Sequence, residues 1–160
     1  MSSFLALHKK QIGWIVLLAC LLGLAGWGTY RHWLFVQSTG LAYPFGPDPD
    51  IWGRAVMLSI SDAPMTVPPA YPTLVSVFSK AQLPAQAALQ VNGLGIGLTV
   101  FFCGLGSAFL MPSISLSVIC GICSSALALF ALPYFPYAYY MQPELLSIGI
   151  FTATAAAAAA

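Results

Sequence analysis

Long unbroken apolar runs, rather than the alternations of a half-buried strand or an amphipathic helix, set the pattern of this chain. The first covers residues 12–30, where about nineteen residues at a rise of ~1.5 Å reach roughly 28 Å, the thickness of a bilayer's hydrocarbon core. Further runs cover residues 87–111 and 114–132, separated only by the turn at Met111-Pro112-Ser113. A fourth, 143–160, opens at Pro143-Glu144 and ends in the alanine run Ala155 to Ala160. The pattern predicts an all-α, polytopic transmembrane protein with about four spans, residues 1–160 forming the N-terminal part of one transmembrane domain. The alanine run has no flanking Lys or Arg, so the sequence reads as a fragment of a longer protein.

Between the first two runs lies a long loop, 31–86, that is not a plain linker. Apolar and aromatic residues persist through it, among them Trp33, Phe35, Tyr43, Phe45, Trp52, Met57 and Leu58, so it is expected to lie on the membrane surface. Ile51 to Leu58 can form a short helix with Asp50 as its N-cap, the carboxylate accepting backbone N–H groups that have no intrahelical partner. A second short helix is expected at about 72–80, with Leu74, Val77 and Phe78 on one face at i, i+3, i+4.

Composition agrees with this pattern: mean hydropathy is +0.87 and only 6% of residues are charged, which excludes an ordinary soluble domain. A net charge of +1, with Lys9, Lys10, Arg31, Arg54 and Lys80 scattered, excludes a nucleic-acid footprint. Cys20, Cys103, Cys120 and Cys123 all fall inside apolar runs, where a secreted-type disulfide framework is not built. The Cys120-Gly121-Ile122-Cys123 spacing lacks a second pair, so both thiols read as buried small residues. The first run is too long for the apolar region of a cleaved signal. By the positive-inside rule, Lys9 and Lys10 place the N-terminus in the cytoplasm and both longer loops, with Asp48, Asp50 and Glu144, on the opposite side. Within the spans, Gly93 and Gly97 fit small-xxx-small helix packing, and Asn92 is expected to serve helix packing too. His8 and His32 receive no catalytic role.

The candidate chemistry is concentrated in a few loop residues. Asp48-Pro49-Asp50 is followed by Ile51-Trp52-Gly53-Arg54-Ala55, then by Pro68-Pro69-Ala70-Tyr71-Pro72-Thr73-Leu74, a closely spaced helix pair, and Tyr139-Tyr140-Met141-Gln142-Pro143-Glu144. In this order the segments resemble the GT-C class of membrane glycosyltransferases, over most of the chain. The resemblance implies transfer of a sugar, of the hexosyl or mannosyl kind, from a polyprenyl-phosphate donor to an acceptor at the non-cytoplasmic face, in a bacterial inner membrane rather than the endoplasmic reticulum. It implies Asp50 as the catalytic carboxylate and Asp48 as its support. Arg54, Tyr71 and Glu144 would contact substrate, Arg54 by gripping phosphate oxygens. Some members bind a divalent metal, Mg or Mn, for which Asp48 and Glu144 would be the ligands here. The expected partners are that donor and membrane lipids, with no nucleic acid.

Each of these residues also has a purely structural reading. Asp50 can cap a helix, Asp48-Pro49 can be a turn, and Arg54 can face lipid headgroups. Glu144 can complement a helix dipole, and the proline-stiffened segment can simply anchor Tyr71 at headgroup level. A non-enzymatic small membrane subunit or a transporter fragment therefore stays open as an alternative.

Overall fold

The computed structural model describes residues 2–39, 70–79, 84–131 and 144–160. Five helices make up 95% of it, with no strand among the described residues. They are α1 (Ser2–Thr39), α2 (Ala70–Phe78), α3 (Pro84–Phe109), α4 (Ile114–Ala131) and α5 (Glu144–Ala159). The expected all-α membrane architecture is present, but the spans differ in two respects. Three helices are long and apolar enough to cross a membrane, over Leu7–Phe35, Gln86–Phe109 and Ile114–Ala131. The expected fourth span forms α5, a shorter apolar helix of 16 residues that continues to Ala159. The first helix is also much longer than 12–30, because hydropathy marks where the apolar region ends and not where the helix does. No proline and no glycine interrupt the chain between Gly28 and Gly40, so α1 runs through Arg31 and His32 to Thr39.

Local chemistry sets several helix ends. Pro84 occupies the first position of α3, where a missing N–H and a fixed φ do no harm. At the other end the Met111 N–H donates to the Ala108 carbonyl at 3.2 Å, and Pro112 prevents continuation. Ser113 then caps α4: its Oγ accepts from the Leu116 N–H at 3.4 Å, while its carbonyl accepts the first helical bond, from Ser117 N–H at 2.9 Å.

α3 is the axis of the bundle. Of its apolar window 56% is buried, against 22% for α1 and 17% for α4. Pairings along it fix the directions. Thr29 of α1 meets Gly93 and Trp14 meets Phe109, so α1 and α3 are antiparallel. Ser125 and Ser117 of α4 meet Val100 and Ala108, again antiparallel. α5 runs parallel to α3, with Leu145 against Gly95 and Ala156 against Gly106. The end of α1, the end of α4 and the starts of α3 and α5 therefore lie at one end of the bundle, where the segments 40–69 and 132–143 attach.

Glycines allow these approaches. A Cβ on Gly95 would lie 2.6 Å from the Leu145 carbonyl carbon and oxygen, and one on Gly149 would lie 3.0 Å from the Gly95 oxygen, so α3 and α5 touch backbone to backbone. A Cβ on Gly121 of α4 would lie 3.1 Å from the Gly104 oxygen. Gly93 and Gly97 both face α1 at Thr29, the small-xxx-small contact expected from sequence. Hydroxyls exploit the same proximity: Thr29 donates to Gly93 O at 3.0 Å, Ser117 to Ala108 O at 2.8 Å and Ser125 to Val100 O at 2.7 Å. All three acceptors are carbonyls of α3.

α2 starts two residues earlier than expected and presents a different face to the bundle. Tyr71, Pro72 and Val75 are buried, with Tyr71 and Val75 packed on Ala87, Ala88, Val91 and Leu146. Leu74 and Val77 turn outward and Phe78 is partly exposed at the edge of a cavity shared with α1 and α3, so the apolar stripe read from sequence is not the face buried against the bundle. Cys123 is likewise exposed on the outside of α4 and not buried as expected, whereas Cys120 is half-buried.

The glycine contacts differ sharply in what they tolerate. Gly95→Ala is expected to destabilise the bundle by about 1–3 kcal/mol, because the colliding atoms are backbone. Gly23, whose Cβ position has nothing within 4 Å, is expected to accept alanine with no loss or a gain of up to about 1 kcal/mol from helix propensity. Reversible unfolding by SDS titration in bicelles measures both.

Candidate functional site at the loop-bearing end

Where α2 crosses the first turns of α3, beside the start of α5, three polar side chains come together. Tyr71 is 3% exposed and Asn92 fully buried. The Tyr71 hydroxyl donates to Asn92 Oδ1 at 3.4 Å, a long bond near the limit of useful geometry. Glu144, in the first turn of α5, lies close enough for its charge to act on Tyr71. One of its carboxylate oxygens, Oε2, is buried and has no hydrogen-bond partner among the described residues.

The electrostatics of the three are asymmetric. Burial pushes the Tyr71 phenol well above its ordinary value, and the nearby Glu144 carboxylate pushes it further. The phenol is thus a neutral hydrogen-bond donor at any physiological pH. The carboxylate sits where the α5 dipole favours negative charge. Leaving a buried polar atom unpaired costs about 1–3 kcal/mol, more for a charged group, so Oε2 is the strongest unmet demand for a donor in the described structure. That demand is compatible with a cation or an N–H or O–H group. Among the described residues no three His, Cys, Asp or Glu side chains gather to hold a metal ion.

Two of the five residues singled out from sequence, Tyr71 and Glu144, are therefore brought together from two different loops. The other three, Asp48, Asp50 and Arg54, lie outside the described residues. The burial of Tyr71 differs from a surface anchor at headgroup level: its ring is part of the packing against α3.

A second group, unanticipated from sequence, lies beside the first. His32 is buried, and its Nε2 is 3.0 Å from the Leu89 carbonyl, an arrangement in which the ring N–H donates. With Thr29 it ties the end of α1 to the first turns of α3. The signal was present: Leu17, Leu21, Ala25, Gly28 and His32 are all buried, at the spacing of one helical stripe. A hydropathy run that ends at Tyr30 contains the first four members of the stripe and stops short of His32.

The chain matches no family model, no curated protein and no solved structure.

The raised Tyr71 value has a definite sign. The folded state holds this proton more tightly than the unfolded chain, so the contribution is fully present below the ordinary phenol value of 10.0 and is lost as pH rises above it. Stability is expected to fall above pH 10 by up to about 1.4 kcal/mol per pH unit. Tyr71→Phe should flatten that alkaline limb, whereas Glu144→Gln, which leaves burial as the main cause of the raised value, should leave its onset and slope just above pH 10 unchanged, as read from denaturation midpoints across an alkaline pH series.

Proposed function

We propose that the chain carries the loop-bearing end of a GT-C-type membrane glycosyltransferase, acting on a polyprenyl-phosphate sugar at the non-cytoplasmic face, with the N-terminus in the cytoplasm. The observation that carries the reading is the convergence of Tyr71 and Glu144, with a buried, unpaired carboxylate oxygen, at the end of the bundle where both longer loops attach. The resemblance in the order of the loop motifs also supports it, since it assigns a substrate contact to Glu144, the member of the pair whose oxygen lacks a partner among the described residues.

The chemistry required is displacement at an anomeric carbon. An acceptor hydroxyl or amide forms the new bond to that carbon while the bond to the polyprenyl phosphate oxygen breaks, the phosphate leaving with the electron pair. Asp50 takes or orients the acceptor's proton as the new bond forms, a role that contributes typically 10²–10⁴-fold. Asp48 supports Asp50, and Arg54 offers a guanidinium fork to the phosphate. Glu144 accepts a hydrogen bond from the acceptor, Asp48 and Glu144 would be the residues to hold a divalent metal, and Tyr71 holds the wall of the cleft through Asn92. A bound Mg or Mn would supply charge neutralisation to the departing phosphate. Acidic groups kept outside the spans suit chemistry at the membrane surface better than transport, which places ionisable groups within the spans.

Asp50→Asn in the full-length protein is expected to lower transfer of labelled sugar from a polyprenyl-phosphate donor by roughly 10²–10⁴-fold with the protein level in the membrane unchanged. Unimpaired transfer by Asp50→Ala would overturn the assignment and favour a non-enzymatic subunit. The orientation is checked separately by Ser61→Cys in a cysteine-free background: a membrane-impermeant maleimide added outside intact cells is expected to label it, and labelling only after lysis would reverse the topology.

A further inference from the structure

Beside the polar cluster, between α1, α2 and α3, lies a cavity of about 490 Å³, within the ~300–1,000 Å³ typical of ligand pockets. The absent side chain of Gly26 on α1 leaves it open, Gly93 of α3 lines it, and α2 contributes Phe78 to its wall. Its polar members are already engaged with the protein. Thr29 donates to the Gly93 carbonyl at 3.0 Å, His32 lies 3.0 Å from the Leu89 carbonyl, and Gln90 also has a partner. Neither a carboxylate nor a Lys or Arg lines it. The remaining wall is Tyr30, Trp33, Phe78 and Leu94, so the fitting occupant is apolar and uncharged.

The depth of the cavity narrows the choice. Trp27, Tyr30 and Trp33 form a ladder along α1, with ring centroids 6.1 and 6.0 Å apart, and it falls just inside the end of the apolar window at Phe35. Trp and Tyr concentrate where hydrocarbon gives way to headgroups. The ladder therefore places the cavity at the top of the hydrocarbon layer, open on a side that meets lipid: Tyr30, Phe78 and Leu94 are all partly exposed. At that depth the commonest linear hydrocarbon is the acyl chain of a bulk phospholipid, and mass action favours the commonest ligand.

We propose that this cavity holds one acyl chain of a phospholipid from the adjacent leaflet, wedged between α1 and α3 with its headgroup at the level of Tyr30 and Trp33. Such a lipid is a structural ligand that completes the α1–α2–α3 contact, and the proposal does not depend on the transferase reading.

Gly26 makes a clean test because a Cβ there has nothing within 4 Å, and Gly23, one turn earlier on α1, has nothing within 4 Å either but does not line the cavity. Leucine at either site changes helix propensity equally; only leucine at 26 occupies the cavity. The full chain is reconstituted in phosphatidylcholine vesicles doped with a phosphatidylcholine bearing a photoreactive diazirine in its acyl chain, and cross-linked peptides are mapped. Cross-links are expected to concentrate on residues 26–33 and 90–94, to fall several-fold in Gly26→Leu and by a smaller, graded amount in Gly26→Ala, and to be unchanged in Gly23→Leu. The graded alanine variant keeps the test decisive if Gly26→Leu does not fold. Cross-links spread evenly over outward residues such as Leu116, Ile119 and Leu127 of α4, or an equal loss in Gly23→Leu, would overturn the proposal. Two further results would reassign the occupant and overturn it as well: displacement of the label by polyprenyl phosphate better than by phospholipid at equal mole fraction, or disulfide trapping of Trp33→Cys by Ser61→Cys, which would put the chain's own loop there.

Discussion

Everything in this bundle depends on how closely other helices approach the backbone of α3. In a bilayer the lipid tails are as apolar as leucine, so helices gain no hydrophobic free energy by exchanging lipid for one another; packing and interhelical hydrogen bonds must hold them. Glycine serves both at once. At Gly95 the α5 backbone comes within contact of the α3 backbone, and at Gly104 α4 does the same through Gly121. Proximity then exposes the second lone pair of α3 carbonyls, which Thr29, Ser117 and Ser125 use. Each such bond is worth ~0.6 kcal/mol on average and up to ~1.7, and each exists only because the helices are already close. Packing and hydrogen bonding are therefore one coupled term, and a bulky residue at a crossing forfeits both.

The faces of α3 are divided among partners one residue at a time. Successive residues of a helix point about 100° apart, so a four-residue stretch can address four directions. Asn92 faces α2 through Tyr71, Gly93 faces α1 through Thr29 and His32, Leu94 lines the lateral cavity, and Gly95 faces α5 through Leu145. One turn of helix thus sets the positions of the elements that carry Tyr71 and Glu144. The two residues are remote in sequence, yet α3 brings them within electrostatic reach of each other.

Much of this was legible in the sequence, for reasons that can be stated. Three apolar runs became spanning helices because nothing in them competes with helix in a medium where every backbone group must be satisfied internally. Gly93 and Gly97 could be read as a packing pair because their spacing of four matches the helical repeat. The partner of each glycine could not, since nothing in the local spacing says that Gly95 faces a different helix from its neighbours. The outward turn of Leu74 and Val77 shows a second limit. An apolar stripe predicts burial in water, whereas beside a membrane it can equally face lipid, and here the polar-tipped Tyr71 takes the inner place. His32 shows a third: the stripe from Leu17 to His32 continues past the end of the 12–30 run, so a residue just outside that run is buried within the bundle.

The polar cluster has one charge and two neutral dipoles, and that balance limits what it can do. A phenol whose ionisation is opposed both by burial and by a neighbouring carboxylate cannot serve as a general base near neutral pH, because the anion it would have to form is strongly disfavoured. Nor is it suited to giving its proton away in a transition state, for the same reason. What it offers is a fixed donor, pinned against Asn92 and the apolar residues around it, that keeps α2 in place against α3. The carboxylate is different in kind. Its oxygen is buried without a described partner, at the positive end of a helix dipole and at the end of the bundle that both longer loops enter. A group so placed gains most from an incoming donor or cation, and gains it where water is scarce and the interaction is strongest. The division of labour within the cluster is therefore set by partners and charge as much as by burial: Tyr71 has its acceptor in Asn92 and positions α2, whereas Glu144 Oε2 is the buried atom still without a partner among the described residues.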